Sequence, residues 1–275
     1  MMPIWENRRM YCQWLAPSTI GGVILLVNDD GIEAPGLRAL YRCLRRELRQ
    51  PVLAVAPAEE RSGAGHAISI NRGLSLTPFH DSDADFFAFS VDGTPSDCCK
   101  LGLKVLCTQK PRLVVSGINN GPNVGRSLFY SGTVSAALEA AIEGFPALAV
   151  SLDRSEEPDW NSAAERAVSI AKAMLGRNKL AGSVINLNLP VGTAKHWQPL
   201  RVVRHGLSGF SEAYSQRHQR DGHPLWHLHG QRIELEEEGE TDAHALRAGH
   251  PTLSILQPDI NGDASLLEAL DELSP

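Results

Sequence analysis

Long apolar runs are missing from this 275-residue chain: the longest purely aliphatic stretch is Val23 to Val27. That is far short of the ~20 residues a membrane-spanning helix needs, so no membrane partner is expected. An excess of positive charge is missing too. Lys and Arg number 26 against 32 Asp and Glu, for a formal net charge of −6 and a pI near 5.9. This argues against a surface for a nucleic-acid polymer, which needs dense Lys and Arg, but leaves room for one nucleotide in a cleft. Cysteine is scarce and unpatterned. Cys12, Cys43, Cys98, Cys99 and Cys107 are odd in number and form no Cys-x-x-Cys or zinc spacing. They read as reduced, partly buried thiols of a cytoplasmic protein. A signal sequence is suggested by Arg8-Arg9 ahead of Tyr11 to Val27, but Gln13, Pro17, Ser18 and Thr19 interrupt the stretch and no small-x-small cleavage site follows. Glycine (24) and proline (17) are too few for low complexity, and 43% hydrophobic with 21% charged residues is ordinary globular composition.

What is present is an alternation. Residues 1–22 lack periodicity and read as a disordered or loosely packed N-terminal extension, and 23–275 as a single domain. Val23-Ile24-Leu25-Leu26-Val27 has the unbroken apolar character of a strand buried on both faces. Pro35 opens a helix over Gly36 to Leu48, with Leu37, Leu40, Leu44 and Leu48 on one stripe. Val52 to Ala56, Arg112 to Gly117, Leu148 to Ser151 and Ser183 to Leu187 read as further strands, and Thr133 to Glu143 and Asn161 to Leu175 as helices. Strands alternating with helices predict an α/β fold, a mostly parallel sheet with helices on both faces. Ile68 to Pro78 and Phe86 to Val91 read as a side β-hairpin. From about Pro199 to 250 the pattern loosens into short strands rich in His, Trp and charge, a C-terminal oligomerisation segment.

Three oxygen-rich loops each follow a predicted core strand, at the carboxyl ends where doubly wound sheets bind ligands. The first is Asn28-Asp29-Asp30-Gly31. Adjacent carboxylates at a buried strand end are costly without a cation, and a hard divalent metal resolves that cost. The alternative is a turn in which Asp29 or Asp30 caps the next helix. The second loop, Glu59 to His66, carries Ser62 and a Gly63-Ala64-Gly65 run that lacks the third glycine of a dinucleotide fingerprint. The third, Ser116 to Gly125, offers Asn119 and Asn123. Soon after it, Tyr130-Ser131-Gly132-Thr133 opens the Ala-rich helix as an anion site or as a simple N-cap by Ser131 or Thr133. Together these loops make a metal-plus-anion pocket suited to a phosphate ester.

The stretch Val27 to Gly36, Arg61-Ser62-Gly63, Gly93 to Cys98, Ser116 to Gly125 and Tyr130 to Thr133 resembles the SurE family of metal-dependent nucleotidases. Phe145 to Ser151, Asn186 to Pro190 and Thr241 to Leu246 match it as well, so the resemblance spans about 23 to 260. It implies a Rossmann-like α/β fold and one divalent cation per subunit, Mg or Mn. It implies hydrolysis of nucleoside 5′- and 3′-monophosphates by metal-activated water, with other phosphomonoesters and short polyphosphate as further substrates. By motif position the metal ligands are Asp29, Asp30, Ser62 and Asn119, with Asp29, Asp30 and Asn119 catalytic. Asn123, Ser131, Gly132 and Thr133 lie near the phosphate. The resemblance also implies a homodimer or homotetramer through exchange of the C-terminal region. Two departures stand out: Val27 replaces the family's common Ser or Thr, and Gly65-His66-Ala67-Ile68 replaces a more polar run.

Other candidates are weaker. Ser90-Val91-Asp92-Gly93-Thr94 mimics a haloacid-dehalogenase box but has Ser90 where the nucleophilic Asp belongs. His227 and His229, two apart on a strand, share a face and suit zinc only if further ligands join them. Glu234 to Glu240 reads as a solvated acidic turn. The alternative function is a non-catalytic nucleotide-binding or regulatory protein on the same fold. The complete set Asp29, Asp30, Ser62 and Asn119 speaks against it.

Overall fold

The structure, a computed structural model, describes residues 22–79, 86–107, 109–220, 223–233 and 239–261. The expected N-terminal extension (apart from Gly22) and residues 234–238 of the expected acidic turn lie outside these. Nine strands form one sheet, in the order β3-β4-β2-β1-β5-β6-β7-β11-β8. They are β1 (Ile24–Val27), β2 (Val52–Pro57), β3 (Leu76–Phe79), β4 (Ala88–Val91), β5 (Leu113–Asn120), β6 (Ala147–Leu152), β7 (Val184–Leu189), β8 (Arg201–Val202) and β11 (Thr252–Leu256). The run from β4 through β7 is parallel throughout; β3 joins β4, and β11 joins β7, antiparallel.

The period-2 alternation of a strand sorts β1 between two cores. Ile24 and Leu26 face one layer, where α1 (Pro35–Leu48) supplies Leu37, Leu40 and Leu44 and α4 (Trp160–Met174) supplies Ala163, Ala167 and Ala171. Leu25 and Val27 face the other, built on α2 (Pro95–Leu101) and α3 (Gly132–Ile142) through Cys98, Cys99, Val134, Ala136 and Ala140. Both faces are therefore covered, and each leucine buried this way contributes about 1.5–3 kcal/mol. The predicted α/β architecture with helices on both faces is what the chain adopts.

Chain order makes this sheet bind at one place. After β1 the chain steps to β2 and β4 on one side, then returns to place β5 on the other side of β1. The carboxyl ends of β1 and β5 thus flank a switch point, where the connecting loops diverge and leave a crevice. α1 approaches that crevice closely because its second residue is glycine: a Cβ on Gly36 would sit 2.4 Å from the Ile118 carbonyl oxygen.

Several elements differ from the sequence expectation. Of the expected strand Ile68 to Pro78, only Leu76 to Pro78 is strand, within β3. Upstream, the backbone bonds to side chains instead of a ladder: Thr94 Oγ1 donates to the Ala67 carbonyl at 2.7 Å, and the Ser69 amide donates to Asp97 at 2.9 Å. β3 and β4 pair antiparallel as the hairpin reading requires, but β4 also pairs parallel with β2, so the pair continues the main sheet. α2 was not anticipated; Thr94 and Asp97 close it with a reciprocal capping box. The short strands expected after Pro199 include one long antiparallel pair, β9 (Gly209–Arg220) and β10 (His223–Ile233), a separate two-stranded sheet. α5 (Asp242–Arg247) follows and leads into β11. No helix among the described residues is long and apolar enough to cross a membrane.

Candidate active site

Asp29 is the second residue after β1 and is buried, 5% exposed. Its side chain accepts from the Thr133 hydroxyl, at the start of α3, through Oδ1. Its carbonyl accepts the Arg61 amide at 2.8 Å, which ties the Ser62 loop to the end of β1. Gly132 leaves the space that this contact needs: a Cβ there would lie 2.8 Å from Asp29 Cβ and 3.0 Å from Asp29 Oδ2. Asp30 Oδ2 accepts the Asn120 amide at 3.0 Å, which joins the first loop to the end of β5. β5 changes register against β6 between Ser116 and Asn119, and the Gly117–Ile118 peptide is cis.

The structure therefore brings Asp29, Asp30, Gly132 and Thr133 together and places Ser62 on a flanking loop and Asn119 at the carboxyl end of β5. Ser62 is exposed and donates to Glu60 at 2.5 Å. Asn119 spends its amide nitrogen on the Gly121 carbonyl at 2.7 Å, and no partner is recorded for its side-chain oxygen. Ser131 caps α3 by accepting the Val134 amide at 3.1 Å, the capping role that the sequence had left open. Asn123 is engaged at the sheet edge instead of at the aspartates. Its side-chain nitrogen donates to Ser151 at 2.8 Å, its amide donates to Asn188 at 2.7 Å, and its carbonyl accepts from Asn186 and Asn188.

Electrostatics sets the aspartates apart from ordinary surface carboxylates. Burial pushes the Asp29 carboxyl up, only partly offset by the Thr133 hydroxyl and nearby amides, and the Glu60 charge adds to the rise. Asp30 is pushed up to about 6, first by burial and then by the Asp29 charge, with the Asn120 amide and Arg154 pulling the other way. Two carboxylates that resist ionising side by side are a site short of positive charge.

Among the described residues no group of three or more His, Cys, Asp and Glu side chains is placed to hold a metal, and the exposed His227 and His229 gain no zinc site. A cation here would draw on two carboxylates together with Ser and Asn oxygens, an all-oxygen donor set that suits Mg or Mn. The Asp pair, buried at Asp29 and half-buried at Asp30, with both carboxyls still pushed up, fits that group.

Sequence reasoning passed over four residues. Glu60 adds negative charge beside both aspartates. Arg154 follows β6 and donates from Nε to the Asn120 carbonyl at 3.1 Å; its place just past a strand's carboxyl end was a usable signal. Asp242, fully buried, accepts the Gly125, Gly206 and Ala243 amides at 3.2, 3.0 and 2.8 Å and so fixes the loop behind Asn119. The fourth, Glu139 on α3, has a side chain 5% exposed, and Lys100 and His66 each bond one of its oxygens.

The family model described as Survival protein SurE matches residues 24–212. A protein of Maridesulfovibrio salexigens called 5′-nucleotidase SurE is 39% identical over 249 residues, covering 90% of this chain and 98% of that one. A Moorella thermoacetica protein of the same name is 40% identical over 238 residues, 86% of this chain and 91% of its own length. The crystal structure of SurE protein from Aquifex aeolicus superposes with a TM-score of 0.75 at 32% identity, covering 91% of this chain and 99% of that one.

Proposed function

This chain belongs to the SurE family, and on that premise we propose that it is a 5′-nucleotidase, hydrolysing nucleoside monophosphates to nucleoside and phosphate. The observation that carries the reading is the Asp29–Asp30 pair at the switch point of the sheet, Asp29 buried and Asp30 half-buried, with both carboxyls pushed up by burial and Asp30 further by the Asp29 charge.

Asp29, Asp30, Ser62 and Asn119 would hold a divalent cation, Mg or Mn. Such a cation supplies Lewis-acid polarisation of the phosphoryl group and a lower pKa for water. The chain's own residues do the rest. Thr133 fixes the Asp29 carboxylate through Oδ1, and Gly132 lets that carboxylate sit against the first turn of α3. The N-terminal amides of this 11-residue helix favour an anion, and Ser131 already satisfies one of them at Val134. Ser131, Gly132 and Thr133 thus place the phosphate beside the aspartates. Asn123 serves from behind, tying the loop after Asn119 to β6 and β7. Phe129 and Tyr130, 77% and 60% exposed immediately before Ser131, offer apolar surface for the nucleoside.

The same phosphate-centred site suits 3′-monophosphates, other phosphomonoesters and short polyphosphate. The unbridged thiols of Cys43, Cys98, Cys99 and Cys107 support a cytoplasmic place. The β9–β10 sheet exposes Phe210, Tyr214, Trp226 and Leu228, apolar surface that a homodimer or homotetramer would cover.

Phosphate release tests this reading on EDTA-stripped protein given nucleoside 5′- and 3′-monophosphates with Mn, Mg or no metal. Release is expected only with metal added back. Folded protein that releases none with either metal would leave a nucleotide-binding role in its place.

A further inference from the structure

The second loop has little structure of its own, yet it is held in place. Residues 59–66 contain no helix or strand, and most of them are exposed. Two backbone bonds pin this turn to the site: the Arg61 amide to the Asp29 carbonyl at 2.8 Å, and the Gly65 amide to the Tyr130 carbonyl at 3.1 Å. Its side chains add one more anchor. Ser62 bonds only to Glu60 within the segment, whereas His66 Nε2 meets Glu139 Oε2 at 3.0 Å. Among the described residues, His66 is the one side chain of 59–66 with a recorded bond outside that segment.

Glu139 is a firm partner. Its side chain is 5% exposed, Lys100 of α2 holds its other oxygen, and it lies on α3, the helix whose first residues contact Asp29. A buried carboxylate with one oxygen already committed keeps the other in a fixed direction. The bond therefore ties the Ser62 turn to the same rigid helix that positions Asp29.

We infer that His66 is a positioning residue for the hydrolysis proposed above, clamping the 61–65 turn so that Ser62 is held at the cation site. This inference rests on that reading of the function. Without the His66–Glu139 bond the turn keeps only its two backbone contacts, and Ser62 samples positions away from the aspartates. Supporting groups behind ligands commonly change metal affinity or activity by about 10–100-fold.

The test compares full-length protein with His66→Ala and with His66→Gln, which restores a side-chain N–H donor. Three readouts are taken: turnover of a nucleoside 5′-monophosphate, the Mn concentration for half-maximal rate, and amide hydrogen exchange at 61–66. Expected for His66→Ala is about a tenfold loss of kcat/KM, a several-fold rise in the Mn requirement, and faster exchange confined to 61–66. His66→Gln should recover most of each. Wild-type turnover and Mn requirement in His66→Ala would overturn the inference. So would equal losses in both variants accompanied by a lower melting temperature, which would mark a merely structural bond. Should wild-type protein release no phosphate with any metal, the hydrolase reading fails by itself. Exchange then decides the clamp: acceleration in His66→Ala alone supports it, and unchanged exchange overturns it.

Discussion

Asp29→Asn should reduce metal-dependent phosphate release by at least about 100-fold while the protein stays folded, a loss at least as large as those from residues standing behind metal ligands. The substitution is nearly isosteric and still presents an oxygen to the Thr133 hydroxyl, so the contact that places the side chain survives. What disappears is one negative charge from an all-oxygen donor set that otherwise contains a single further carboxylate, Asp30. Burial already disfavours the charge that is removed, so the metal-free protein is expected to stay folded. The checks are steady-state turnover with saturating Mn and a melting curve on the same sample. Near-normal turnover would remove Asp29 from the metal site.

Asp30→Asn should separate stability from activity. Folding raises the Asp30 carboxyl from 3.8 to about 6, so the folded state holds this proton more tightly than the unfolded chain. The stability linked to Asp30 is then fully present below about pH 4 and is lost as pH rises through about 6. At pH 7 metal-free wild-type protein carries a penalty of the order of 2 kcal/mol, after allowance for partial exposure. Metal-free Asp30→Asn should accordingly melt about 5 °C higher at pH 7 and match wild type near pH 4. Adding Mn should reverse the order at neutral pH, because ligand binding stabilises only the protein that keeps its donors. Calorimetry at the two pH values, with and without Mn, checks the crossing. A variant no more stable than wild type without metal would mean that the Asp30 charge is not strained.

Both predictions rest on residues that stood out before the fold was known, and the reason is local. Val23 to Val27 announces a buried strand by its unbroken apolar character, and a strand of that kind delivers the residues after it to the sheet's carboxyl edge. The Leu37–Leu40–Leu44 stripe announces α1 in the same way. Asp29 and Asp30 needed nothing further, since adjacent carboxylates at such an edge raise the question of a cation by themselves. Asn123 shows where local reading stops. Its partners Ser151, Asn186 and Asn188 come from β6 and β7, 28 to 65 residues away, so its buried role depends on strand order. The same holds for Asp242, which reaches Gly125 across 117 positions. α2 is a different kind of miss. Its seven residues are too few to show a hydrophobic period, and its mark was the Thr94–Asp97 capping box, a signal of spacing and not of hydrophobicity. The strand expected at Ile68 failed because the chain there bonds to the side chains of Thr94 and Asp97, which no pattern within the segment records.

Hydrolysis by the proposed route depends on a cation held at the Asp29–Asp30 edge of the sheet. The most direct test is a crystal of this protein soaked in Mn, with anomalous diffraction measured at the metal. One strong peak per subunit is expected within bonding distance, about 2.0–2.6 Å, of carboxylate oxygens from both aspartates, with Ser62 and Asn119 completing the shell. A structure in which Mn binds elsewhere, or leaves both carboxylates without a metal at saturating concentration, would contradict this placement.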